Sequence, residues 1–196
     1  MPVRHDSSED KAPRTHEDIP ERVTKGLVIV NTGDGKGKTT AAFGVVFRAL
    51  GRGYKVGIVQ FMKGKWVTGE VKALERFGDQ VEHFALGDGF TWQTQNLEQD
   101  KATARRAWEK CLELIRAKKH RLLFFDELNY VLKYEFLSVA DVLAGLKEKD
   151  PKTHVIITGR DAHPDLIAMA DLVTEMKSIK HPYDTQRIKA QPGIDY

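Results

Sequence analysis

Residues 32–40 read Thr-Gly-Asp-Gly-Lys-Gly-Lys-Thr-Thr. A short apolar run, Leu27, Val28, Ile29 and Val30, precedes them, and a helical pattern of Ala42, Phe43, Val46, Phe47 and Leu50 follows. A strand, a glycine-dense loop and a helix in this order form the context of a phosphate-binding loop. Glycines let successive backbone N–H groups turn toward an anion, and the start of the helix adds the positive end of its dipole. Gly33, Asp34, Gly35, Lys36, Gly37, Lys38, Thr39 and Thr40 are therefore the candidate nucleotide-phosphate residues. Lys38 can reach the outer phosphates of a nucleotide, and the Thr39 hydroxyl can ligate a magnesium ion. One slot departs from the usual pattern: the opening glycine is replaced by Thr32. A glycine-rich turn without a ligand is the alternative, disfavoured because Gly37-Lys38-Thr39 is in register with both flanking elements.

The rest of the chain alternates strand and helix signals. Residues 27–31, 56–61, 81–84, 122–127, 155–158 and 172–176 read as strands. Helical patterns follow the glycine loop to about Leu50 and run from Thr68 to near Phe77, from about Glu98 to Lys118, from Ser138 through Leu146, and from Pro164 to about Ala170. Ser138 with Asp141 has the spacing of a capping box. Most strands are continuous apolar runs, which predicts a mostly parallel sheet covered on both faces. The expected fold is a three-layer α/β domain of the P-loop NTPase type, with five or six strands. It spans residues 25–196. Residues 1–24, polar with Pro2, Pro13 and Pro20, form a flexible segment by composition. The tail 178–196 shows no clear periodicity.

Bulk properties exclude several functions. A formal charge of +3 over 196 residues makes no case for nucleic acid as the main partner. The single cysteine, Cys111, rules out an internal disulfide and a thiolate zinc cage. There is no signal-peptide pattern and no long uninterrupted apolar run, so a cytoplasmic protein with no membrane partner is expected.

A second acidic element accompanies the loop. Leu122-Leu123-Phe124-Phe125 leads into Asp126-Glu127. In nucleotide-binding proteins an acid at such a strand end helps hold magnesium, directly or through water. With Lys38 and Thr39 this makes Thr39, Asp126 and Glu127 the candidate metal residues, and spacing does not decide which acid touches the ion. Arg160, after another strand, is a candidate phosphate contact, although a surface cap explains it nearly as well. Phe90 and Trp92 lie in a glycine-bearing loop; aromatics there anchor onto a core or wall a large flat partner. These motifs leave kinase, ATPase, GTPase and group transferase open, and no Asn-Lys-x-Asp stretch supports a GTPase.

Six stretches narrow the choice. Thr-Gly-Asp-Gly-Lys-Gly-Lys-Thr-Thr-Ala-Ala-Phe-Gly from Thr32, Val-Gln-Phe-Met-Lys-Gly from Val59 and Gly-Phe-Thr-Trp-Gln-Thr-Gln-Asn from Gly89 resemble the ATP:corrinoid adenosyltransferases. So do Asp126-Glu127-Leu128-Asn129-Tyr130, Ile-Ile-Thr-Gly-Arg from Ile156 and Lys-Ala-Gln-Pro-Gly-Ile-Asp-Tyr from Lys189. The resemblance is to the P-loop type, cob(I)yrinic acid a,c-diamide adenosyltransferase, whose loop also begins with threonine. It implies transfer of the 5′-deoxyadenosyl group of ATP to cobalt(I) of a corrinoid with release of triphosphate, in adenosylcobalamin biosynthesis or salvage. It further implies Mg2+ or Mn2+, a homodimer, a flavoprotein reductant, and an N-terminal segment that closes over the site. By matching position, Lys38 stabilises the leaving triphosphate, while Phe90 and Trp92 crowd the lower face of the corrinoid. The alternatives are a P-loop ATPase coupled to an unidentified partner and a cofactor-delivering chaperone without chemistry.

Overall fold

The computed structural model describes residues 24–62, 68–87 and 97–196. Six strands form one parallel sheet: β1 (Val28–Thr32), β2 (Val56–Gln60), β3 (Val81–Ala85), β4 (Leu122–Asp126), β5 (His154–Thr158) and β6 (Leu172–Glu175), in the order β3-β2-β4-β5-β1-β6. The apolar runs predict this, because parallel strands joined by helical crossovers are buried on both faces. Every residue of β2 and β4 is buried, whereas edge strand β6 is exposed along its length.

Alternate residues of each central strand feed two cores. On one face α1 (Lys38–Leu50) lays Ala42, Phe43, Val46 and Leu50 against Val56, Ile58, Leu122, Phe124 and Ile156. Phe43 meets Phe124 edge to face, with ring centroids 5.3 Å apart. On the other face α3 (Leu97–Ala117), α4 (Leu128–Lys133) and α5 (Val139–Lys147) cover Val59, Leu123, Phe125, Val155 and Ile157. Trp108 of α3 stands edge-on to Phe125. The remaining helices among the described residues are short: α2 (Gly69–Leu74), α6 (Pro164–Met169) and α7 (Pro182–Gln186).

Several local details differ from the sequence reading. The helix expected to reach Phe77 is α2 followed by a 3-10 stretch (Glu75–Gln80) broken at Gly78, whose backbone is non-helical. Ser138 does stand at the start of α5, but its hydroxyl makes no capping hydrogen bond, so the box spacing is present without its interaction. Helix α4 has no cap signal in the sequence because its N-cap, Glu127, takes a left-handed backbone at φ 63°. Helix α7 lies in the tail that shows no periodicity; Pro182 opens it, and the His181 ring accepts from the Tyr183 N–H. The segment 1–23 and the aromatic loop 88–96 lie outside the described residues, as do 63–67.

Candidate active site at the carboxyl ends of the central strands

The glycine loop leaves β1 and packs against the backbone just after β6. Gly35 N–H donates to Met176 O at 2.7 Å. Gly33 has φ 92°, and a Cβ there would come within 2.4 Å of Met176 O, so the position requires glycine. The side chain of Thr32 has a distinct task. Its hydroxyl accepts from Ala162 N–H at 3.1 Å, tying the loop entrance to the segment after β5.

Lys38 begins α1 and is 8% exposed. Its ammonium lies across the loop, donating to Gly33 O at 2.6 Å and Gly35 O at 2.7 Å. Burial pushes its pKa below the ordinary lysine value, and the Glu127 carboxylate acts in the opposite direction. Lys36 forms a salt bridge with Asp195, which Lys36 and the Gln191 N–H hold below the usual carboxylate range. Asp34 stands 3.7 Å from the Arg160 guanidinium, which places Arg160 beside the glycine loop. Gly37, at φ 107°, is the N-cap of α1. Thr40 faces outward, lining a cleft of about 360 Å³ with Phe47, Glu70, Ile194 and Tyr196.

The acidic strand meets the loop at its far side. The Thr39 hydroxyl donates to Asp126 Oδ1 at 2.9 Å, across 87 residues of sequence. The Thr158 hydroxyl donates to the same oxygen at 2.8 Å, and Gln60 Nε2 donates to Oδ2 at 2.8 Å. Asp126 is completely buried, so these donors are what allow a carboxylate to reside there. Glu127 turns away from the strand line: its N–H donates to the Thr158 hydroxyl at 2.9 Å, and its carboxylate lies over Gly159. The Gly159 backbone is at φ 125°, and Asn129 Nδ2 donates to its carbonyl at 2.9 Å.

The fold thus brings Lys36, Lys38, Thr39, Asp126, Glu127 and Arg160 to one end of the sheet. Phe90 and Trp92 fall in the loop outside the described residues. Sequence reasoning gave no role to Gln60, Thr158, Asn129 or Asp195, although each lies in a stretch that resembles the family, and it passed over His83. A signal existed for Gln60 and Thr158, each a polar residue closing an apolar strand; Asp195 lies in the C-terminal octet that resembles the family, but nothing there points to Lys36. Among the described residues no group of three or more His, Cys, Asp or Glu side chains is placed to hold a metal. The oxygen donors Thr39, Asp126 and Glu127 nevertheless suit magnesium, which takes one or two protein ligands and completes its shell from phosphates and water.

Comparison with solved structures supports the fold. Flagellar accessory protein FlaH from Methanocaldococcus jannaschii superposes with a TM-score of 0.52 at 13% identity, over 78% of this chain and 72% of that one. Comparison with curated sequences goes further. A corrinoid adenosyltransferase of Sinorhizobium sp is 51% identical over 174 residues, covering 88% of this chain and 81% of that protein. The corrinoid adenosyltransferase of Escherichia coli K12 is 44% identical over 188 residues, 93% of this chain and 94% of its own length. Corrinoid adenosyltransferase CobA of Salmonella typhimurium is 44% identical over 172 residues, 88% of this chain and 86% of its own. The family model described as ATP:corrinoid adenosyltransferase BtuR/CobO/CobP matches residues 24–196, a span that holds the glycine loop, the acidic strand and the C-terminal tail that pairs with Lys36. The chain belongs to the ATP:corrinoid adenosyltransferase family.

Proposed function

We propose that this protein transfers the 5′-deoxyadenosyl group of ATP to the cobalt(I) of a corrinoid in adenosylcobalamin biosynthesis or salvage. The cobalt(I) electron pair forms the new bond to the 5′-carbon. The bond from that carbon to the phosphate oxygen breaks, and its electron pair leaves with inorganic triphosphate. The observation that carries this reading is the meeting of Thr39 with Asp126 beside the buried Lys38, in a chain of this family.

Residues 33–40 bind the triphosphate as a leaving group. Lys38 and Lys36 stabilise negative charge where it develops, the largest lever such a site has. Thr39 and Glu127 are the candidate ligands of Mg2+ or Mn2+. Asp126, whose oxygens accept from Thr39, Thr158 and Gln60, supports them from behind. When bound, the cation offsets charge on the departing phosphates. Arg160 adds a positive charge beside Asp34 and the loop. Phe90 and Trp92 shield the lower face of the corrinoid and disfavour its axial ligand, a desolvation role. Holding the 5′-carbon in line with cobalt supplies the remaining acceleration.

The reading extends to the assembly. The chemistry resides in one domain, residues 25–196, of a cytoplasmic homodimer, with 1–24 as a lid and a flavoprotein as reductant. No described helix is long and apolar enough to cross a membrane. The decisive experiment is product analysis. Protein incubated with ATP, magnesium and chemically reduced corrinoid yields triphosphate and a light-sensitive alkyl-cobalt spectrum. Orthophosphate without a spectral change would instead identify a P-loop ATPase.

A further inference from the structure

Three adjacent strands each end on a polar side chain, Gln60 on β2, Asp126 on β4 and Thr158 on β5, and His83, at the middle of the neighbouring strand β3, continues the row. Gln60 and Asp126 face each other directly in the β2–β4 register. Hydrogen bonds run the length of the row. His83 Nε2 lies 2.8 Å from Gln60 Oε1, Gln60 Nε2 donates to Asp126 Oδ2 at 2.8 Å, and Thr158 donates to Asp126 Oδ1 at 2.8 Å. The Thr39 hydroxyl joins the same Oδ1 from α1. Gln60 is 1% exposed, while Asp126 and Thr158 are fully buried.

A buried polar row is costly unless every contact is satisfied, so its orientation is tightly specified. The Gln60 amide has two ends of equal size. Turned one way it donates to Asp126; turned the other it presents a carbonyl to a carboxylate, which repels. A His83 ring N–H donated to Oε1 selects the first orientation. Asp126, fixed by the amide on one oxygen, accepts the Thr39 O–H on the other. A threonine hydroxyl whose O–H donates to a carboxylate keeps its lone pairs for a cation.

We propose that Gln60, oriented by His83, is a positioning residue that holds Asp126 to accept the Thr39 hydroxyl and thereby sets the affinity of the site for a divalent cation with ATP. This rests on the assignment of Thr39 as a metal ligand. Outer partners of metal-site groups have effects of this kind without touching the ion.

The test measures Mn2+ binding in the presence of ATP by electron paramagnetic resonance, alongside circular dichroism and thermal melts. Gln60→Met, close in volume but without the donor, weakens Mn2+ binding about tenfold or more. His83→Phe moves in the same direction, and His83→Gln, which keeps an N–H donor, recovers affinity. Unchanged Mn2+ affinity in a folded but less stable Gln60→Met protein would reduce the row to packing and overturn the proposal. Should Gln60→Met fail to fold, the half-buried His83 pair decides: equal affinities for His83→Phe and His83→Gln overturn it. A wild-type protein whose ATP binding is indifferent to Mn2+ removes the metal-site reading and this inference with it, whereas binding in wild type and Gln60→Met alike removes only the latter.

Discussion

Lys36 in the glycine loop is paired with Asp195, one residue before Tyr196, across 159 positions of sequence. The contact folds the C-terminal segment against the loop, where Asp195 also accepts from the Gln191 N–H. An anion bound to Lys36 has to share that ammonium with Asp195. Lys36 is half exposed, and solvent screening keeps such pairs weak. Asp195→Asn is therefore expected to tighten ATP binding by roughly two- to fivefold at low ionic strength. The gain should shrink as salt is raised, because screening weakens both interactions. Titration of ATP at two salt concentrations checks this; weaker binding at low salt would make Asp195 an asset to the site instead of a competitor.

Thr32 stands where a phosphate loop usually has glycine, and its hydroxyl accepts the Ala162 N–H. Glycine could not supply that acceptor. Thr32→Val keeps the shape and leaves the Ala162 N–H without its partner, at a cost of about 1–3 kcal/mol. In a domain of this size each kcal/mol lowers the melting temperature by about 2–4 °C. Thr32→Ser, which keeps the hydroxyl, should lie closer to wild type. Equal melts for the valine and serine variants would show that the bond contributes nothing.

What could be read from the sequence was whatever chemistry lies in consecutive residues. The glycine loop of 33–40 and the end of β4 each sit within one run, next to apolar strands whose continuity reveals a parallel sheet. The motif types put Thr39 with Asp126 and Glu127, but the contact itself depends on the sheet order. Thr39 reaches Asp126 because β5 alone separates β1 from β4, and spacing along the chain says nothing of that. Gln60 looked like one more strand residue until Asp126 was found opposite it. The start of α4 was missed because a left-handed glutamate replaces the usual capping residue. Conversely, Ser138 carries the capping spacing without the hydrogen bond, since pattern alone does not fix a rotamer.

Lys38 carries the charge-stabilising role in the proposed displacement. It is 8% exposed and held by two carbonyls of its own loop, so its ammonium is fixed within the loop proposed to bind the phosphates. Lys38→Ala should lower turnover by roughly a hundredfold or more, the scale for removing one preorganised donor from a charge-developing site. Triphosphate release measured under saturating reduced corrinoid gives the number. Turnover within a few-fold of wild type would end the leaving-group role for this lysine.

Trp92 lies outside the described residues, and the role proposed for it rests on family resemblance. A ring that crowds the lower corrinoid face acts on removal of the axial ligand, which matters for reaching cobalt(I). Trp92→Ala should therefore damage the reaction begun from cobalt(II) far more than the one begun from chemically pre-reduced cobalt(I). Two parallel assays with a melting curve separate this from unfolding, since a structural anchor would reduce both reactions together.

His154 at the start of β5 predicts how stability responds to mild acid. Its Nδ1 accepts the Leu27 N–H at 3.1 Å, a contact that needs the neutral ring. Burial, then the positive charges of Arg121 and Lys149, push its pKa below the ordinary 6.5. The unfolded chain consequently takes up a proton at a higher pH than the folded one does. The stabilising contribution is complete above about pH 6.5 and is lost as the pH falls through the window between the unfolded and folded values. Most carboxylates titrate below that window, so a melting temperature that declines between about pH 7.5 and about pH 5.5 has His154 among its causes. His154→Asn supplies an acceptor that cannot be protonated there, and the variant should show a shallower decline. Parallel curves for the two proteins across the same range would mean that the Leu27 contact does not depend on the ring's charge.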